Sequence, residues 1–118
     1  VEESANPTFT INNNNTQGPS GGLMQTIAIY NMITKSDITK GKIIMGTGTI
    51  DVEGNVGIIG GEKQKVITAN LYNANIFFVP EENYQSASEQ YEKIKNPKFN
   101  LFKVETFAEA LRELERMK

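Results

Sequence analysis

The stretch Lys42–Val79, KIIMGTGTIDVEGNVGIIGGEKQKVITANLYNANIFFV, decides the fold. Its first part, Lys42 to Ile50, is rich in Ile and Thr and reads as a strand. Asp51-Val52-Glu53-Gly54-Asn55 is turn-forming, with Gly54-Asn55 the tight point, and Val56 to Ile59 returns as a second strand. Residues 42–59 therefore predict a β-hairpin. Gly60-Gly61 ends it, and Val66, Ala69 and Tyr72 at helical spacing predict a helix over 62–72. Ile76-Phe77-Phe78-Val79 is apolar without alternation, as a strand covered on both faces must be. Pro80, which cannot donate to a ladder, is expected to stop it. Hairpin, helix and buried strand in this order require helices layered on a sheet.

Upstream, Phe9-Thr10-Ile11 alternates like a short strand, and Asn12 to Asn15 is a loop-forming run. Gly18-Pro19-Ser20-Gly21-Gly22 breaks the chain and opens a helix predicted over 21–33, with Ser20 at its start as a favoured cap. Downstream, residues 81–97 are charged and amide-rich with sparse apolar points, and predict an irregular helix. Asn100 to Val104 is a short strand. Thr106 followed by Glu109 is a capping box. Phe107, Ala110, Leu111 and Leu114 form the stripe of the helix it starts, and Arg112, Arg116 and Lys118 gather at its negative end. The predicted order, β-α-β-β-α-β-α-β-α, is an α/β or α+β layered fold with helices packed on a sheet, spanning residues 1–118 as one domain.

Composition narrows the chemistry. The 118 residues contain no His and no Cys, which excludes Ser-His-Asp and Cys-His catalysis, thiol redox chemistry and Cys/His metal sites. Only two Asp are present, so a carboxylate metal cage would rest on Glu. Net charge is −2 and neither half of the chain has a basic excess, so no nucleic-acid partner is expected. The longest apolar runs are four residues, against about 20 for a membrane span, so no direct membrane contact is expected of this segment. The chain opens on Val1 without a leader, as expected of a domain trimmed at its N-terminus from a longer protein.

Two glycine-rich segments stand out. In Gly18–Gly22, glycines beside a hydroxyl allow close approach of a substrate and leave N–H groups free to face an oxyanion at a helix start. Ser20 there reads either as a presented nucleophile or as a plain cap. In Ile59-Gly60-Gly61-Glu62-Lys63-Gln64-Lys65, Lys65 lies close to the apolar face of the helix, being one turn before Ala69. It reads either as a snorkelling surface lysine or as a buried one, which desolvation would drive towards the neutral amine of a general base. No G-x-G-x-x-G or G-x-x-x-x-G-K-[ST] phosphate loop occurs. A serine nucleophile without histidine needs another base, and lysine is the known substitute.

The runs GPSGGLMQTIAIYNMIT at 18–34, KGKIIMGTGTIDVEGNVGIIGGEKQK at 40–65 and IFFVPEEN at 76–83 resemble the proteolytic domain of Lon proteases. Gly-Thr-Gly-Thr-Ile at 46–50 and the helix end Ile29-Tyr30-x-x-x-Thr34 resemble in particular the Lon-like proteases that follow a PDZ domain in Gram-positive bacteria. The resemblance implies a fold of the ribosomal protein S5 domain 2-like type and a serine endopeptidase. Ser20 would be the nucleophile and Lys65, not Lys63, the dyad lysine. Thr47 would bond that lysine, and the amides around Ser20 and Gly21, supported by Gly18, would form the oxyanion hole. It further implies a protein or peptide substrate and a homo-oligomeric ring. No cofactor is expected in this chain, any ATP dependence needing a separate ATPase segment. A membrane-anchored protein with the protease domain outside the cytoplasm follows from the PDZ-associated subtype, a cytoplasmic one being the alternative. Two positions depart from the family pattern: Gly21 replaces the usual Ala, and Glu62 replaces an aliphatic residue. Glu62 lies three residues before Lys65 on the same helical face, where it is expected to favour the ammonium. The competing reading is a non-catalytic binding or assembly module that retains this fold.

Overall fold

The computed structural model describes residues 20–34 and 36–117; the strand expected at Phe9–Ile11 and the supporting Gly18 lie outside them. The elements in chain order are α1 (Gly22–Ile33), β1 (Ile44–Gly46), β2 (Thr49–Ile50), β3 (Val56–Gly57) and α2 (Glu62–Leu71). They continue as β4 (Ile76–Pro80), a 3-10 turn at Glu81–Asn83, α3 (Tyr84–Glu92), β5 (Asn100–Val104) and α4 (Phe107–Arg116).

β4 is the axis of the molecule. It lies between β1 and β5 and pairs with both in parallel, Phe77 facing Met45 on one side and Leu101 on the other. All five of its residues are buried, because each side of the sheet carries helices. Ile76 and Phe78 point into a cluster with Leu23 and Ile27 of α1, Val104 of β5, and Ala110 and Leu114 of α4. Phe77 and Val79 point the other way, against Val66 and Ala69 of α2, Ala87 of α3, Ala74 and Phe99. The period-2 alternation of a strand thus builds two cores from one run of apolar residues. The second core depends on aromatic edges: Phe99 stands edge-on to Phe77 at 6.2 Å and to Tyr91 at 5.0 Å. The Tyr91 hydroxyl donates to the Phe99 carbonyl at 2.6 Å, which gives its polar end a partner.

The hairpin is smaller than the sequence predicts. β2 and β3 pair antiparallel, Thr49 with Gly57 and Ile50 with Val56, in a separate two-stranded sheet. The single strand expected over 42–50 is broken at Thr47-Gly48, so that β1 belongs to the parallel sheet and β2 to the hairpin. The break follows from close packing. A Cβ on Gly48 would lie 2.7 Å from a methyl of Val56, and the residue takes φ +154, a region open to glycine. Pro80 closes β4 from inside the strand, paired with Val104, instead of stopping it at Val79. The parallel sheet and antiparallel pair together make a mixed α+β domain.

α4 forms as its sequence predicts. The Glu109 amide donates to the Thr106 hydroxyl at 3.1 Å. The return bond of the capping box is displaced by one residue: the Glu109 carboxylate accepts from the Glu105 amide at 2.6 Å.

Candidate active site

The functional residues gather where the parallel strands end, the usual place for a site in a sheet with helices on both faces. Thr47 extends the end of β1, its amide donating to the Phe78 carbonyl at 2.9 Å. Gly48 then grips the start of α1 in both directions. Its amide donates to the Ser20 carbonyl at 2.7 Å, and its carbonyl accepts from the Leu23 amide at 2.9 Å. Ser20 is therefore anchored by its backbone, which leaves its side chain free to face elsewhere. It does not cap the helix, as its position had suggested. Gly21 occupies the N-cap position, with no side-chain cap, and the Ser20 hydroxyl is turned towards α2.

α2 supplies the lysine. Its helical register puts Lys63 and Lys65 about 200° apart. Lys63 faces solvent, 4.0 Å from the carboxylate of Glu89 on α3, both side chains half exposed. Lys65 faces inwards, and its Nζ donates to Ser20 Oγ at 3.1 Å and to Thr47 Oγ1 at 3.3 Å. Thr47 is buried, and its hydroxyl donates to the Ser20 carbonyl at 3.2 Å. With its proton so committed, the threonine oxygen presents lone pairs to the amine. A single hydroxyl thus braces both partners, one through its backbone and the other through its side chain.

Glu62 makes no ion pair with Lys65, against the expectation from its spacing. Its carboxyl is held below the usual glutamate range, first by a hydrogen bond from Ser86 and then by backbone N–H bonding, with the nearby Lys63 charge adding to the effect. One of its oxygens also accepts from the Asn83 side-chain amide at 3.4 Å. The glutamate is drawn to the start of α3 and away from the amine.

Ser20, Lys65, Thr47 and Gly21 are brought together from α1, α2 and the strand break, although 45 residues separate the first two. Sequence reasoning missed the backbone of Gly48 and the side chain of Asn83. Neither has a local signature, since their partners are the carbonyl of Ser20 and the backbone of Ile59. Among the described residues no cluster of three or more metal-ligating side chains forms.

The chain that carries this arrangement has relatives among known proteins. The family profile of the Lon protease (S16) C-terminal proteolytic domain matches residues 13–115. The chain is 32% identical over 97 residues to a Lon protease of Aster yellows witches'-broom phytoplasma, a match covering 82% of this chain and 12% of that protein. It is 33% identical over 94 residues to a Lon protease of Chloroflexus aggregans, covering 80% of this chain and 11% of that protein. A Lon protease of Finegoldia magna is 36% identical over 78 residues, 66% of this chain and 10% of that protein. The chain belongs to the Lon protease C-terminal proteolytic domain family. It spans about a tenth of the length of these relatives.

Proposed function

We propose that this domain is a serine endopeptidase that hydrolyses peptide bonds with a Ser20–Lys65 dyad. The observation that carries the reading is the 3.1 Å contact between Lys65 Nζ and Ser20 Oγ, made across two layers of the fold. In the structure Lys65 Nζ is the donor of that contact. In the reaction the contact runs in the opposite sense: the hydroxyl donates to a neutral amine, and Ser20 Oγ attacks the peptide carbonyl. The tetrahedral oxyanion is received by the backbone N–H groups at Ser20 and Gly21, where the α1 dipole adds positive potential. Lys65 returns the proton to the leaving amine, and water releases the acyl group with Lys65 again as base. Thr47 holds the amine in line throughout.

A groove of about 530 Å³ between α1 and β1, lined in part by Met24, Ile27, Ile44 and Met45, reaches Gly46 beside Thr47. It offers a protein or peptide substrate an apolar bed that ends at the residue before Thr47. The chemistry uses side chains and backbone alone, so ATP dependence would belong to another segment. The Gly46–Ile50 motif and the Ile29-Tyr30 helix end support a PDZ-associated Lon-like protease with an S5 domain 2-like fold, anchored at a membrane and acting outside the cytoplasm as a ring.

The test is covalent. A fluorophosphonate probe is expected to label Ser20, as read by peptide mapping, and a peptide aldehyde to block that labelling. A folded protein whose Ser20 resists the probe would favour the non-catalytic module.

A further inference from the structure

Thr47 and Asn83 are the two buried polar side chains among the described residues. Thr47 touches the dyad. Asn83 does not, yet it is bonded as fully as a strand partner. Its Oδ1 accepts from the Ile59 amide at 2.9 Å, and its Nδ2 donates to the Ile59 carbonyl at 2.9 Å. The same Nδ2 reaches the Glu62 carboxylate at 3.4 Å. Asn83 therefore grips the chain on each side of Gly60-Gly61.

Among the described residues the link has no side chain of its own to fix it. Gly60 and Gly61 carry no side chains, a Cβ on Gly60 would meet no atom within 4 Å, and Gly61 takes φ +74. Two adjacent glycines leave the backbone its widest freedom. Immediately beyond them α2 begins, and the Lys65 amide closes its first turn on the Gly61 carbonyl at 3.1 Å. A shift at the link is thus carried by the first helical turn directly to the lysine.

We propose that Asn83 is a positioning residue for the dyad. By pairing with Ile59 and holding Glu62 it sets where α2 starts, and so holds Lys65 within reach of Ser20. This rests on the Ser–Lys reading of the site. Displacing a reacting group by about 1 Å can cost on the order of 10²-fold in rate, so a loosened clamp shows in kcat before it shows in KM.

The experiment uses the full chain with Asn83→Ala, Asn83→Asp, and Asn83→Asp combined with Glu62→Gln. Thr106→Ala, which removes the cap of α4 on the other side of the sheet, serves as a control for general destabilisation. Peptide cleavage is measured well below each melting temperature, and amide hydrogen exchange is followed along the chain. Asn83→Ala is expected to lower kcat at least tenfold with KM within twofold, and to raise exchange at residues 60–66. Thr106→Ala is expected to keep kcat near the parent value. Asn83→Asp sets two carboxylates against each other, and Glu62→Gln then supplies an amide that donates to the new carboxylate. The double variant is therefore expected to recover part of the kcat that Asn83→Asp loses. Loss of activity that merely follows melting temperature across Asn83→Ala and Thr106→Ala would overturn the proposal, as would a double variant no faster than Asn83→Asp. A parent that neither cleaves peptide nor labels with fluorophosphonate would instead overturn the peptidase reading. The exchange data would still decide the clamp, because unchanged protection over 60–66 in Asn83→Ala overturns it whatever the activity.

Discussion

The two faces of the parallel sheet are built differently, and each carries half of the proposed Ser20–Lys65 dyad. On one face α1 and α4 pack large aliphatic residues, Leu23, Ile27 and Leu114, against Ile76 and Phe78. On the other, α2 and α3 bring small residues, Ala69 and Ala87, close to the strands, and Phe77, Phe99 and Tyr91 fill the space between. Ser20 begins the helix layer of the first face and Lys65 belongs to the second. The 3.1 Å between them is therefore a distance between layers. It is set by the thickness of the sheet's two cores and by Thr47, which stands at the sheet's end and touches both partners. A dyad on a single helix would survive loosening of the core; this one requires both layers to be seated.

The largest expected effects fall on the dyad itself. Ser20→Ala and Lys65→Ala should each lower peptide cleavage by at least about 10³-fold with the fold intact by circular dichroism. Lys63→Ala, removing an exposed pair with Glu89, should leave cleavage near the parent value. An essential Lys63 with a dispensable Lys65 would break the comparison, since it would move the amine to the solvent side of α2.

Core truncation comes next. Phe77 and Phe78 are adjacent, almost fully buried and directed to opposite faces. Phe77→Ala and Phe78→Ala should each cost about 3–5 kcal/mol in denaturant unfolding. Because each face seats one dyad partner, both should also slow Ser20 labelling in the fraction that stays folded. Slowing by only one of them would show that a single layer governs the site.

Thr106→Ala sharpens the comparison from the periphery. It removes the hydroxyl that accepts from the Glu109 amide and should cost about 1 kcal/mol in the same unfolding assay. It acts on α4, which seats α1 but carries no reacting group, so the cleavage rate of the folded protein should be unchanged.

The smallest effect concerns acid. The Glu62 carboxyl is held below its ordinary value of 4.5 by bonds from Ser86 and the backbone. A depressed carboxylate contributes stability that is present above its unfolded value and is lost as pH falls through the folded one. Glu62→Gln should therefore flatten the loss of stability as pH drops below about 4.5, by a small amount because the group is only partly buried and solvent screens its bonds. The pH–rate profile should not move, since the carboxylate is turned towards α3. A profile displaced by Glu62→Gln would mean that the charge acts on Lys65 after all.

How much was legible in the residues varies from element to element. α4 could be read completely, because Thr106, Glu109 and the stripe from Phe107 to Leu114 are local patterns. β4 could be read as buried on both faces from four apolar residues in a row. The split of residues 42–50 between two sheets could not. Thr49 and Ile50 carry strand propensity like Ile43 and Ile44, and what divides them is a Val56 methyl that leaves no room for a side chain at Gly48.

The pairing of Ser20 with Lys65 was legible only through the family resemblance; what the sequence alone determined is the four helices, the buried strand β4, their order and the absence of histidine and thiol side chains. These are properties of neighbouring residues, governed by periodicity, caps and composition. Only the tertiary structure decided which way the polar side chains turn: Ser20 away from capping its own helix, Glu62 towards Ser86 and Asn83, and Asn83 onto the backbone of Ile59. Each of these groups has several partners within reach of its own segment. The one it takes is fixed by what the other layer of the fold places beside it, where a buried polar atom must find a bond or forfeit its hydration.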